Sequence, residues 1–270
     1  MSSPALDGAL LAADIGNSHT VLGLVRDAEV SADWRVATVE ARTADEWAVL
    51  IRGLIGAREA DISGIVVCAT VPSVLQAWRT MLAQHFGAVP SVVVEPGVRT
   101  GVPVLTDNPR EVGTDRIVNA LAAATRYGGP AVVVDFGGTA TTFDVVNSEG
   151  QYVGGAISPG IEISLEALER RGAQLRMVEL RRPRSVIARN TVEALQSGMV
   201  FGVASQVDGI VARVIEELGV PAADVSVVAT GYLAPLVYDE CRSFTAHDPW
   251  LTLRGLELVY LRNRGGPSSR

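Results

Sequence analysis

Apolar residues gather into short Val-rich runs at Leu10–Ala13, Thr20–Val25, Ile65–Ala69, Ser91–Val94, Ala131–Val134, Thr141–Val146 and Val225–Ala229. Runs this short, bounded by Gly, Pro, Asp or Asn, are what buried strands look like. Between them the apolar positions fall three and four apart, which predicts helices over Thr43–Ile55, Pro72–Phe86, Val112–Thr125, Ile161–Ala173 and Thr191–Leu218. Strands alternating with helices predict an α/β fold.

The pattern also repeats. Leu10–Val25 (LLAADIGNSHTVLGLV) aligns without gaps on Ala131–Val146 (AVVVDFGGTATTFDVV), which sets Asp14 on Asp135, Gly16 on Gly137, Ser18 on Thr139 and Thr20 on Thr141. Each copy reads as an apolar run, D-x-G-x-[ST]-x-T, and a second apolar run. A weaker echo sets GIVVCATVPSVL from Gly64 beside DVSVVATGYLAPLV from Asp224. Short apolar runs resemble one another easily, so the alignment alone also admits two unrelated Val-rich hairpins. Read as a duplication, it predicts domains over 1–128 and 129–270, divided at the turn signal Gly128-Gly129.

Composition narrows the chemistry. The 270 residues are 48% hydrophobic and 20% charged with a net charge of −7, the profile of a soluble globular chain without an electrostatic footprint for nucleic acid or an anionic membrane. There is no lysine, so all 23 basic residues are arginine. A Walker A loop needs a lysine on the phosphates and pyridoxal phosphate needs a lysine amine, so both mechanisms are excluded. Cys68 and Cys241 are too few for a disulfide framework or a four-ligand zinc site, and they read as packed thiols in a reducing compartment. Met1–Leu11 lacks a positive n-region and carries Asp7 in its short apolar stretch, so no secretory signal or anchor is expected. A cytoplasmic protein follows.

Two segments carry candidate chemistry. In DIGNSHT, Asp14 ends a strand, Gly16 and Asn17 suit a tight turn, and Ser18, His19 and Thr20 open a returning strand. Such a loop can turn backbone N–H groups and hydroxyls toward an anion while its carboxylate holds magnesium through water, and the same residues also suit an ordinary hairpin. The second segment is DNPREVGTDR, Asp107–Arg116, a turn leading into helix-forming residues. There Asp115 can accept a hydroxyl proton while Arg116 pairs with a carboxylate or steadies phosphoryl charge; a solvated ion pair is the plainer use of the same two side chains. GGAISPG, Gly154–Gly160, reads as a Gly- and Pro-rich link between a strand and a helix. His19, His85 and His247 have no metal-ligand spacing, and Trp34, Trp47, Trp78 and Trp250 are scattered as packing residues are.

DIGNSHT, NPREVGTDR and DFGGTATTFD, followed in order by GGAISPG, NTVEALQSG and LTLRGLELVYLRN, resemble the motif blocks of type III pantothenate kinases, within the superfamily of sugar kinases, actins and heat-shock chaperone ATPases. The resemblance spans nearly the whole chain. It implies two duplicated ribonuclease H-like, actin-like domains with a cleft between them, the second also carrying dimerisation helices. It implies ATP-dependent phosphorylation of pantothenate, the first step of coenzyme A synthesis, in a cytoplasmic homodimer that uses Mg2+ and a monovalent cation, K+ or NH4+. Carried over by position, Asp14, Ile15, Gly16, Asn17, Ser18, His19, Thr20 and Val21 form the ATP phosphate loop, and Asp14 holds magnesium. Thr106, Gly113, Thr114, Asp115 and Arg116 line the pantothenate pocket, with Asp115 as proton acceptor and Arg116 near the substrate carboxylate. Thr139 touches ATP, Asp135 binds the monovalent cation, and Thr191 reaches pantothenate from the dimer partner.

The chain departs from the family pattern in places. The second loop, Asp135-Phe136-Gly137-Gly138-Thr139, has one glycine more, which bears on the loop's register and on the contact of Thr139. Thr106 replaces a tyrosine, the late T-G-G reads Thr230-Gly231-Tyr232, and Arg176 stands where proline is frequent. The extra glycine and Tyr232 are what a non-catalytic, nucleotide-binding or regulatory relative of the Bvg accessory factor kind would show. The intact Asp14, Asp115, Arg116 and Asp135 are what a kinase would keep.

Overall fold

Alternate side chains of the first strand, β1 (Ala9–Ile15), enter different environments. Leu11, Ala13 and Ile15 point into a core built with Trp47, Ile51, Val74, Trp78 and Met81, while Leu10, Ala12 and Asp14 occupy the opposite face. The computed structural model describes residues 8–171 and 178–264. Arg176, the end of the helix expected at Ile161–Ala173, and most of the Met1–Leu11 segment lie outside the described residues.

β1 pairs antiparallel with β2 (His19–Arg26), and β2 pairs antiparallel with β3 (Glu29–Ala37). On its other side β1 runs parallel to β4 (Ile62–Ala69), which runs parallel to β5 (Ser91–Val93). The order is β3-β2-β1-β4-β5. Helices α1 (Ala44–Ile55) and α2 (Pro72–His85) cover the first face, where the Trp47 and Trp78 rings meet at 5.4 Å. Thr43 starts α1 with a capping box, accepting from the Glu46 N–H while the Glu46 carboxylate accepts from the Thr43 N–H.

The second half repeats this topology. β6 (Ala131–Phe136) is antiparallel to β7 (Ala140–Val146), which is antiparallel to β8 (Tyr152–Pro159). β6 is parallel to β9 (Ser226–Thr230), and β9 to β10 (Ala246–His247), giving β8-β7-β6-β9-β10. Leu10 opposes Val25 and Asp14 opposes Val21; Ala131 opposes Val146 and Asp135 opposes Thr142. The equivalent positions of the sequence repeat are thus also equivalent in hydrogen-bond register. The extra glycine leaves that register intact, because the loop between Phe136 and Thr141 has the same length as the one between Ile15 and Thr20. The weaker echo is real in topology but slips by two residues: Cys68 opposes Asp14 on β1, and its counterpart opposite Asp135 is Thr230.

Two compact units result, Met1–Val102 with Asn108–Ala122 and Trp250–Arg270, and Pro103–Asp107 with Ala123–Pro249. The contiguous division at 128/129 places the C-terminal segment with the second domain, whereas α7 (Leu251–Asn263) is grouped with the first. The reason is packing: Leu253 of α7 lies on Gly23 of β2, Tyr260 on Gly64 of β4, and Gly255 lies against Val118 of α3 (Thr114–Arg126). A Cβ at Gly64 would overlap the Tyr260 ring, so β4 carries glycine where the helix comes closest. In the second unit α4 (Ile161–Arg171), α5 (Thr191–Leu218) and α6 (Ala234–Val237) share a core with Val132, Val134 and Phe136. α5 is long and apolar enough to cross a membrane by length and composition, yet Met199, Val200, Val207 and Val211 pack in that core.

GGAISPG proves to be mostly strand. Gly154–Pro159 belongs to β8, which pairs with β7 from Val146↔Tyr152 to Ala140↔Pro159. β8 is an edge strand, where glycine and a proline without an N–H are tolerated.

Candidate functional site

In the first unit the β1–β2 hairpin turns through Gly16, Asn17, Ser18 and His19, closed by the Gly16 N–H donating to the His19 carbonyl at 3.0 Å. Asn17 and Ser18 are exposed at its tip. The loop is steadied from outside by the Thr38 N–H on the Ser18 carbonyl and the Thr70 N–H on the Ile15 carbonyl, 2.9 and 3.0 Å. Ile15 is buried in the α1/α2 core, so only its backbone faces the loop. Thr20 is also buried, its hydroxyl 2.9 Å from that of Thr38, and Val21 opposes Asp14 across the hairpin.

Asp14 sits half-buried at the end of β1, on the face that α7 covers. Its Oδ1 accepts from the Cys68 thiol at 3.2 Å, a contact dictated by register because the two residues oppose each other across the parallel β1/β4 pair. Burial pushes the Cys68 thiol well above its ordinary value, and the negative charges of Asp14 and then Asp115 push it further. Cys68 therefore stands among both carboxylates as a protonated donor, not a nucleophile.

Asp115 occupies the first turn of α3. The approach is built by Asn108, whose side-chain oxygen accepts from the Arg110 N–H at 3.4 Å and whose amide donates to Glu111 at 2.6 Å, capping a 3-10 turn at Pro109–Glu111. Thr114 donates from its hydroxyl to the Ala69 carbonyl at 3.4 Å, tying the helix start to the end of β4. Asp115 Oδ1 is out of contact with solvent and has no hydrogen-bond partner. Burial raises its pKa; the Arg116 N–H, the Arg116 guanidinium and its own N–H oppose the rise. A Cβ on Gly113 would fall on Asp115 Oδ1, so the carboxylate holds its place only because residue 113 is glycine.

The second unit presents the sister hairpin. Asp135 is half-buried at the end of β6, and its Oδ1 lies 2.5 Å from where a Cβ on Gly231 would stand. Thr139 is half-buried, and its carbonyl accepts from the Gly160 N–H at 2.9 Å. Thr106 belongs to this unit, and its hydroxyl oxygen is buried without a hydrogen-bond partner. Thr191 is exposed at the first position of α5, just after the cap at Asn190, which accepts from the Glu193 N–H at 2.9 Å.

Thus the first unit brings Asp14, Gly113, Thr114, Asp115 and Arg116 into one neighbourhood with the DIGNSHT hairpin, and the second holds Thr106, Asp135, Thr139 and Thr191. Cys68 and Glu162 have evident roles and no motif signal, and Asp144 closes the DFGGTATTFD block with no role read from it there. Cys68 could have been found from its register opposite Asp14. Asp144 is fully buried and accepts from Tyr152 Oη and Thr142 Oγ1, both at 3.1 Å; its signal is an acid at an inward position of an apolar strand. Glu162 accepts from the Tyr232 hydroxyl, a pairing no spacing announces. Among the described residues no group of three His, Cys, Asp or Glu side chains forms a metal cage. A single carboxylate per hairpin fits an ion completed by phosphate oxygens and water, the way magnesium is usually held in kinases.

A sheet topology that occurs twice, each copy opening on an Asp-led hairpin, is the architecture of the actin-like ATPases. The fold is similar to that of MreB5 of Spiroplasma citri bound to ADP, with a TM-score of 0.51 at 11% identity, over 93% of this chain and 95% of that one. It is more similar to that of a Baf-family protein of Campylobacter jejuni, TM-score 0.60 at 18% identity, over 94% and 98% of the two chains. At such identities the likeness establishes the fold alone, two duplicated α/β domains. The sequence profile of type III pantothenate kinases matches residues 10–213. A type III pantothenate kinase of Nocardioides sp. is 76% identical over 254 residues, 94% of this chain and 99% of its own length. The chain belongs to the type III pantothenate kinase family.

Proposed function

We propose that the protein transfers the γ-phosphoryl group of ATP to the primary hydroxyl of pantothenate, with Asp115 as general base, opening coenzyme A synthesis. The observation that carries this is the Asp115 carboxylate itself: buried, held off solvent, lacking a hydrogen-bond partner at Oδ1 and flanked by a guanidinium. Such an oxygen is ready to accept the hydroxyl proton as the new O–P bond forms and the bond to the ADP oxygen breaks. Arg116 supplies the charge that pairs with the carboxylate of pantothenate. Thr106, Gly113 and Thr114 bound the same substrate, and Thr191 of the partner subunit completes its pocket. The buried, unpartnered Thr106 hydroxyl suits a polar ligand that satisfies it.

The loop Asp14–Val21 and Thr139 hold the triphosphate. The exposed Asn17 and Ser18 offer backbone and hydroxyl donors, while Thr20 and Ile15 serve the loop's shape. Asp14 carries Mg2+ and Asp135 a monovalent cation, K+ or NH4+. Bound cations supply the positive charge that a lysine supplies in other phosphoryl-transfer sites, and this chain has no lysine.

The protein works in the cytoplasm as a homodimer. Val186, Ile187 and Val192, 64%, 84% and 47% exposed, lie where α5 begins and form apolar surface that a second copy would cover. Ile187→Glu is expected to yield a monomer by sedimentation; a dimer of unchanged stability would move the interface elsewhere. In a coupled assay ADP is expected to appear only when ATP, Mg2+ and pantothenate are all present, faster in K+ or NH4+ than in Na+. ADP release at the same rate without pantothenate would overturn the assignment.

A further inference from the structure

The two departures from the family pattern that bear on the nucleotide, the extra glycine and the tyrosine after Gly231, touch each other. Gly138 is buried and adopts φ +97°, a conformation that L side chains rarely take. A Cβ there would lie 2.5 Å from the Tyr232 hydroxyl oxygen and 3.2 Å from Glu162 Oε2. The Tyr232 hydroxyl donates to that same Glu162 oxygen. Glu162 lies in the first turn of α4, two residues after Gly160, whose N–H holds the Thr139 carbonyl and whose own missing side chain leaves room for the Gly138 carbonyl. Gly231, at φ +87°, in turn packs against the Asp135 carboxylate and the Phe136 backbone.

We propose that Tyr232 and Glu162 form a latch seated on Gly138 that positions the second phosphate loop for ATP. The inserted glycine is then the partner of Tyr232, not a mark of decay. Without a side chain at 138, the tyrosine hydroxyl reaches Glu162 across the loop backbone, and the hydrogen bond spans the loop from the Gly231 turn to α4. Tyr232 is a positioning residue: it acts on ATP through the Gly138–Thr139 backbone. This rests on the reading that the Asp135–Thr139 loop contacts the nucleotide.

The test compares Tyr232→Phe, Glu162→Gln and Glu162→Leu with Thr139→Val, reading KM for ATP, KM for pantothenate, kcat and thermal midpoint. Tyr232→Phe removes one hydrogen bond, so KM for ATP is expected to rise about fivefold to tenfold. KM for pantothenate and the midpoint should stay near their starting values. Glu162→Gln keeps an acceptor oxygen and should recover most of the ATP affinity, whereas Glu162→Leu should reproduce Tyr232→Phe. If Thr139→Val raises KM for ATP and Tyr232→Phe does not, the latch is overturned while the loop reading stands. If neither raises it, the loop reading falls and the latch with it. A rise in both KM values together with a lowered midpoint in Tyr232→Phe would make the tyrosine a packing residue and also overturn the latch.

Discussion

Asp115→Asn is expected to lower kcat by about a hundredfold to ten-thousandfold, the usual worth of a positioned general base, while leaving the fold in place. The amide keeps the size of the side chain but cannot take the hydroxyl proton. Its pH profile supplies a second readout. Burial, opposed by the Arg116 N–H and charge, raises the Asp115 pKa above the ordinary aspartate value. Activity needs the deprotonated form, so the acid limb of kcat/KM should lie above about pH 3.9, the ordinary aspartate value, and should vanish in the residual activity of Asp115→Asn. The stability effect has the opposite sign. A raised carboxylate pKa means the folded state binds this proton more tightly than the unfolded state. Its contribution to stability is therefore present below the unfolded pKa and lost as pH rises through the folded one. Above its raised folded-state pKa the ionised Asp115 carboxylate, its Oδ1 held off solvent, burdens the fold, and there replacing it with Asn is expected to hold or raise the melting midpoint. A fully active Asp115→Asn enzyme would remove Asp115 from proton transfer; an inactive one with a much lower midpoint would assign it a structural role.

The site was partly legible in the sequence. Asp14 and Asp135 end apolar strands at matching positions of an ungapped repeat, and a repeat that holds strand register as well as residue type is hard to obtain by chance. The hairpins, the main helices and the turn before α3 could be read for the same reason, since each is written in local pattern and turn chemistry. β3 escaped because Val30, Ala32, Trp34 and Val36 alternate with polar residues instead of forming a run, as suits a strand with one covered face. β8 escaped because its glycines read as a loop until its partner strand is known. The place of α7 in the first unit depends on its fit to Gly23, Gly64 and Val118, contacts that no local window contains. Cys68 and Glu162 were hidden for a related reason. A thiol opposite Asp14 and a carboxylate that accepts from Tyr232 acquire their roles only when segments far apart in sequence are brought together.

Gly113→Ala should disable the enzyme almost as effectively while leaving every ionisable group in place. The new methyl would overlap Asp115 Oδ1, with the Cγ atoms of Asp115 and Arg116 each 3.6 Å away. Aspartate has a short side chain, so its carboxylate can yield only by rotating or by pushing the first turn of α3 away from the Ala69 carbonyl that anchors Thr114. Either motion displaces the proton acceptor by roughly 1 Å, a shift that can cost on the order of a hundredfold in rate. The loss should appear in kcat, with KM for ATP little changed because the Asp14 hairpin is tied to Thr38 and Thr70 and not to residue 113. The decisive measurement is the double variant. If Gly113 acts only by placing Asp115, adding Gly113→Ala to Asp115→Asn should lower kcat little further, since the group it displaces has already lost its chemistry. Additive losses would instead give Gly113 a contact of its own with the substrate.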